Sequence, residues 1–168
     1  MNVSIKVSIQ RFILLGVASL MVAAHGQPAT GLRLEPKNTA TVETRLNDYQ
    51  WRNRVLLIFS PDPATADLAQ QLDHLSGMGA GLNARDLVVW KLINSDGSAF
   101  VNGTGDPSLS SHSFYQHFAV KDTDFTVILL GKDGTEKLRQ RQPVTSRRLF
   151  SIIDAMPMRQ REMRERDR

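Results

Sequence analysis

At 168 residues, with 21 Lys and Arg against 17 Asp and Glu, the chain is long enough for one domain around one core. Its formal charge of +4 is too small to imply the broad basic field that nucleic-acid binding requires. It has no cysteine, which excludes thiol catalysis and internal disulfides alike.

The first 26 residues read apart from the rest. Met1–Gly26 begins with Lys6 and Arg11, continues through an apolar run from Phe12 to Ala24, and contains no acid. Ala24-His25-Gly26 puts small residues at −3 and −1 before Gln27, the three-part layout of a secretory signal peptide. The apolar run falls short of the ~20 residues that cross a bilayer. Cleavage there takes 26 of the 168 residues, leaves 142, and removes Lys6 and Arg11, so the formal charge drops from +4 to +2. The expectation is an exported protein, periplasmic or extracellular, with no membrane span once the signal is cut. Residues 27–45, with Pro28, Gly31 and Pro36, read as an extended lead-in, residues 46–158 as the domain, and residues 159–168 as a charged tail.

Val55-Leu56-Leu57-Ile58-Phe59 is an unbroken apolar run, as expected of a strand covered on both faces. Ser60-Pro61-Asp62-Pro63 ends it, and Asp62 as N-cap with Pro63 at the first helical position predicts a helix start. Leu68, Leu72 and Leu75 then mark one apolar stripe, which Gly77, Gly79 and Gly81 bring to a stop. Asp86–Ile93 is the next strand. Asn94–Ser111 is a long loop with turn signals at Asp96-Gly97 and Asn102-Gly103, and Ser113–Val120 makes a short helix with Phe114 and Phe118 inward.

Phe125–Leu130 is a third buried strand. Asp133-Gly134 predicts a hairpin into Glu136–Arg139, whose charged alternation suits a guarded sheet edge. Leu149, Ile152, Ile153 and Met156 give a core-facing helix capped by Thr145 or Ser146 and ended by Pro157. Arg159–Arg168, with five arginines against Glu162, Glu165 and Asp167, reads as a soluble helical extension with Glu162 paired to Arg166. A helix between two buried strands favours a right-handed parallel crossover. With the terminal hairpin and closing helix, this predicts an α/β, thioredoxin-like three-layer fold: a mixed sheet of about four strands, helices on both faces, and a C-terminal helix.

The segments LIFSPDP, RDLVVWKL, FTVILLGKDGTEKLR and LFSIIDAMPMRQREM resemble a bacterial domain-of-unknown-function family, number 4174 or P-DUDES. Its members are prokaryotic relatives of a domain found in vertebrate secreted and matrix proteins. The resemblance runs from about Trp51 to Arg164, and the GKDG hairpin and DAMPMR ending are its most distinctive parts. It implies a thioredoxin-like fold and brings no established activity. A redox enzyme of that fold needs a thiolate where the first helix starts, because exposed N–H groups there lower the thiol pKa. Here the place reads Ser60-Pro61-Asp62-Pro63, and Lys121-Asp122-Thr123-Asp124 before Phe125 lacks the proline usual beside such a site.

What remains for chemistry is sparse. Ser60, Asp62, Lys121 and Asp124 form a candidate cleft at the start of the first helix, although Ser60 has no G-x-S-x-G elbow and Asp62 suits a cap. Lys132, Lys137 and Arg139 form a candidate basic strip along the sheet edge. His74, His112 and His117 show no ligand spacing, so neither a metal nor another cofactor is expected. The Gly77–Gly81 and Gly103–Gly105 clusters do not follow a strand and open a helix, so they are not phosphate loops. The expected role is non-catalytic: an exported domain binding a protein or envelope component. The alternatives are a non-thiol enzyme using the polar cleft, and an adaptor docking through its charged C-terminus.

Overall fold

A computed structural model describes residues 41–166 and 168. The expected signal peptide and most of the lead-in lie outside the described residues. The described part opens with helix α1 (Val42–Asn47), which starts inside the stretch expected to be extended because Thr41 caps it, accepting the Thr44 N–H. There follow β1 (Arg54–Ser60), α2 (Ala66–Leu75), α3 (Gly79–Asn83) and β2 (Leu87–Ile93). Then come β3 (Ala99–Val101), β4 (Thr104–Gly105), α4 (Ser111–His117), β5 (Thr126–Leu130), β6 (Glu136–Gln140), α5 (Ser146–Asp154) and α6 (Pro157–Arg166).

The sheet has six strands in the order β4-β3-β2-β1-β5-β6. β1 lies at its centre, parallel to β2 and antiparallel to β5, so the crossover and the terminal hairpin are as expected. Two strands more than expected come from the long loop. Asn102 (φ 48°) and Gly103 (φ 85°) both take positive φ, as a tight two-residue hairpin requires, and they turn β3 into β4.

Every residue of β1 and β5 is buried, and alternation of side chains splits the core in two. Val55, Leu57 and Phe59 face Trp90, Leu92, Phe114 and Tyr115, beneath α1 and α4. Leu56, Ile58, Val127 and Leu129 face Leu68, Leu149 and Ile153, beneath α2 and α5. Removing one such fully buried leucine side chain costs about 2–5 kcal/mol. Helices therefore cover both faces of the mixed sheet.

The α2 stripe differs from expectation. Leu68 is buried and Leu75 packs against the core, but Leu72 is 42% exposed, and Gln71 takes the inward place. Gln71 exchanges two hydrogen bonds with the Val144 backbone, its Nε2 donating at 3.1 Å and its Oε1 accepting at 2.7 Å. This clamp joins α2 to the chain that leaves β6.

Candidate functional site

Two ends of the sheet need separate accounts. At one end the C-terminal tips of β1 and β2 meet the segment before β5, where a thioredoxin-like enzyme would keep its thiol. Ser60 is fully buried there. Its Oγ donates to the Asp62 carbonyl at 2.8 Å and bonds the Thr65 hydroxyl at 2.8 Å. Thr65, not Asp62, caps α2, its Oγ1 accepting the Leu68 N–H. The helix starts later than Asp62 and Pro63 suggested because Asp62 spends its Oδ1 locally, accepting the Ala64 N–H at 2.8 Å in a turn outside the helix.

Asn94 stitches the remaining pieces together. Its N–H donates to the Ser60 carbonyl at 3.0 Å and its Nδ2 to the Asp122 carbonyl at 3.4 Å. Lys121 is exposed, and its carbonyl accepts the Asp124 N–H. The Asp124 carboxylate is 3.7 Å from Arg141. Ser60 with Asp62, and Lys121 with Asp124, are thus two turns at one end of the sheet, and no hydrogen bond or ion pair joins a side chain of one to a side chain of the other. Beneath them lies Tyr115, packed edge-on against Phe59 at 5.0 Å; its buried hydroxyl has no partner among the described residues. Burial, with smaller effects from Asp122 and Asp124, raises its pKa well above the ordinary phenol value. Among the described residues no group of three His, Asp or Glu side chains is placed to hold a metal ion, and no helix is long and apolar enough to cross a membrane.

The opposite end carries the charge. Arg54, at the start of β1, is 1% exposed, and its Nη1 and Nη2 hold both oxygens of Glu162 at 3.2 and 3.1 Å. Lys132 from the GKDG hairpin reaches Glu162 and Asp86, each at 2.9 Å. Arg159 lies 3.6 Å from Glu162 and 3.3 Å from Asp154, which also takes Arg85. Burial alone would raise the Glu162 carboxyl, but hydrogen bonds and charge from Lys132 and Arg54 hold it below the usual range. The C-terminal stretch is therefore not a solvated extension. Glu162 pairs with β1 and the hairpin rather than with Arg166, and Arg166 itself turns back to donate to the Ala84 carbonyl.

The expected basic strip is dispersed by this pairing. Lys132 is drawn under α6, Lys137 pairs with Asp133 at 2.8 Å, and Arg139 pairs with Glu136 while donating to the Phe118 carbonyl. Lys137 and Arg139 are thus bound to acids on their own hairpin. Trp51 stands out only in the structure. It is 63% exposed and sits at φ 64°, with its N–H donating to the Lys132 carbonyl at 2.6 Å. A bulky residue in the left-handed region is strained.

The fold and this cysteine-free strand end define a thioredoxin-like domain with no thiol site. Solved structures agree on the fold. The reduced 2-Cys peroxiredoxin of Plasmodium vivax superposes with a TM-score of 0.52 at 16% identity, covering 70% of this chain and 84% of that one. Plasmodium yoelii Prx1a gives 0.51 at 15% identity, covering 69% and 80%. A family model, domain of unknown function (DUF4174), matches residues 45–162, and the chain belongs to that family. Curated relatives include the coiled-coil domain-containing protein 80 of Danio rerio, 28% identical over 73% of this chain and 16% of its own length. The human sushi repeat-containing protein SRPX2 is 24% identical over 72% of this chain and 26% of its own length. The match thus spans about a quarter or less of those relatives.

Proposed function

We propose that this chain is an exported, non-catalytic binding domain that contacts a protein or cell-envelope component in the periplasm or outside the cell. The observation that carries the reading is the state of the strand end where the fold's thiol chemistry would sit. Ser60 is buried with its hydroxyl committed to Asp62 and Thr65, so no free nucleophile is presented, and Thr65 caps the helix at the Leu68 N–H. The alternative, a non-thiol enzyme, would need Ser60, Asp62, Lys121 and Asp124 to act together. They sit in two separate turns, with no hydrogen bond or ion pair between the side chains of one and those of the other.

Trp51 supplies the contact. An exposed indole whose backbone is tied to the charged hairpin offers a large apolar area, and Trp is among the residues enriched at binding hot spots. Export rests on the sequence layout before Gln27. The match of this domain to a fraction of much longer relatives fits a module used for recognition.

The test places a photo-cross-linking amino acid at Gln50 or Arg52 in living cells, with fractionation and N-terminal sequencing of the same preparation. The reading expects a mature chain beginning near Gln27 in the envelope or medium, and one discrete adduct that disappears in Trp51→Ala. An uncleaved cytoplasmic chain refutes export. Substrate turnover abolished by Ser60→Ala or Asp62→Asn refutes the non-catalytic role.

A further inference from the structure

The end of the sheet that carries α6 also carries the exposed indole. Trp51 donates its N–H to the carbonyl of Lys132, whose ammonium reaches Glu162 on α6. The spacing within α6 then decides which side chains face out. Arg159, Glu162 and Arg166 recur at intervals of three and four and engage Asp154, Arg54 and the Ala84 carbonyl, so they make the inward stripe. Gln160, Arg161 and Arg164 lie on the opposite face, and all three are exposed.

The exposed groups at this end are mostly cations. Arg161, Arg164, Arg168 beyond the helix, and Arg52 beside the indole are exposed, and none forms an ion pair among the described residues. The acids outside the network there are Asp48 and Glu165, with Asp167 following in the sequence. Behind them the paired network holds five cations on three shared carboxylates, so pairing leaves it a net charge of +2. This end therefore has three more cations than acids. Residues 41–168 hold 17 Lys and Arg against 16 Asp and Glu, so the rest of the domain is acidic by two. The domain is polarised, and its positive end is the one that shows an indole to solvent.

That combination selects among anionic partners. An excess of three charges is too small for a polynucleotide. An anionic lipid surface suits both features, because tryptophan rings settle at the level of lipid head groups and arginines are drawn to the negative surface. Each arginine close to such a surface contributes about 1 kcal/mol, a factor of about five in affinity.

We propose that this end of the domain docks on an anionic lipid surface, with Trp51 among the head groups and Arg52, Arg161, Arg164 and Arg168 against their phosphates. The inference rests on the reading of Trp51 as a contact residue and names what it touches. The test uses the chain from Gln27, which keeps the whole sheet and both halves of the core and leaves out the apolar run of residues 12–24. It is titrated with phosphatidylcholine vesicles containing a third phosphatidylglycerol, and with phosphatidylcholine alone, while tryptophan emission and co-sedimentation are followed. Trp90 is 1% exposed, so a change in emission reports Trp51. The mixed vesicles should bind the chain and shift the emission to the blue, and about 1 M salt, which screens charges beyond about 3 Å, should release it. Replacing Arg161, Arg164 and Arg168 together with Gln should weaken binding about a hundredfold with Tm unchanged, since these side chains hold no partner in the fold. Trp51→Ala should weaken it further and remove the emission change. Equal binding to phosphatidylcholine alone, an affinity the triple variant leaves intact, or binding undiminished by Trp51→Ala overturns the proposal. The cross-link made in cells separates the two readings. A Trp51-dependent protein adduct without vesicle binding keeps the contact and overturns only the lipid, whereas loss of both overturns both.

Discussion

Replacing Glu162 with Ala should unfold this domain far more readily than an ordinary surface change would. The carboxylate is the shared counter-ion of Arg54, Lys132 and Arg159, with side-chain exposures of 1%, 11% and 7%. Removing it strands charges that have little water to turn to, and breaking a buried pair in this way costs about 3–5 kcal/mol. Lys132 keeps Asp86 and Arg159 keeps Asp154, and Glu162 is itself partly solvated, so the lower end, about 3 kcal/mol, is expected. For a domain of this size that lowers Tm by roughly 10 °C, readable by circular dichroism. Chemical denaturation of Glu162→Gln across pH supplies the second readout. The Glu162 pKa is depressed in the folded state, so its stabilising effect is full above the unfolded value, near about 4.3, and is lost as pH falls through the folded value. The difference between wild type and Glu162→Gln should therefore shrink steadily on acidification below about pH 4.5. A loss under about 1 kcal/mol at neutral pH, the range of exposed pairs, would refute the docking of α6 on β1. Deletion after Met158 takes Glu162 away too, so it should destabilise the domain rather than simply detach a docking tail.

Gln71→Leu should cost about 2–4 kcal/mol by urea denaturation, because it orphans the buried Val144 N–H and carbonyl together. Leu72→Lys, one position on, should change stability by under about 0.5 kcal/mol, since that side chain is exposed. Trp51→Gly should stabilise the domain by up to about 1 kcal/mol through relief of its positive φ, while abolishing the cross-link at the hairpin; a large loss of Tm would show that the indole packs into the fold. Gly131→Ala should disturb the Lys137–Asp133 pair, because an added methyl would come within 2.6 Å of both Asp133 Oδ1 and Lys137 Cε. Its signature is a shifted Lys137 side-chain resonance.

The parts of the fold written in local pattern were legible, and the parts written in distant pairing were not. Apolar runs announced β1 and β5, a largely apolar one broken by Lys91 announced β2, and Asp133-Gly134 announced the hairpin, with Gly134 at φ 77°. Asn102-Gly103 was read as a turn, but strands of three and two residues carry too little periodicity to show what it joins. Asp62 satisfied every local rule for a cap. It lost to Thr65 because the buried Ser60 hydroxyl holds Thr65 in place, an effect visible only in three dimensions. The charged ending misled for the same reason. Arg54 and Glu162 lie 108 residues apart, and nothing near either one names the other. Spacing within the tail favoured Glu162 with Arg166, worth a few tenths of a kcal/mol, against a buried bidentate partner worth several times more.

The two ends of the sheet also explain why a thiol-free member of this fold has no vacant redox site. A helix N-terminus with bare N–H groups attracts an anion or a thiolate. At α2 one of those groups, the Leu68 N–H, is taken by Thr65, and the hydroxyl of Ser60 holds Thr65 in its turn. Capping that end with the chain's own oxygen weakens the electrostatic reason for a ligand to bind there. At the other end the chain gathers charge instead, with Glu162 shared by Arg54, Lys132 and Arg159. Binding capacity in this molecule should therefore track substitutions at Trp51 and ignore those at Asp62 and Lys121. The opposite pattern would place function back at the strand end where the fold's redox relatives would carry it.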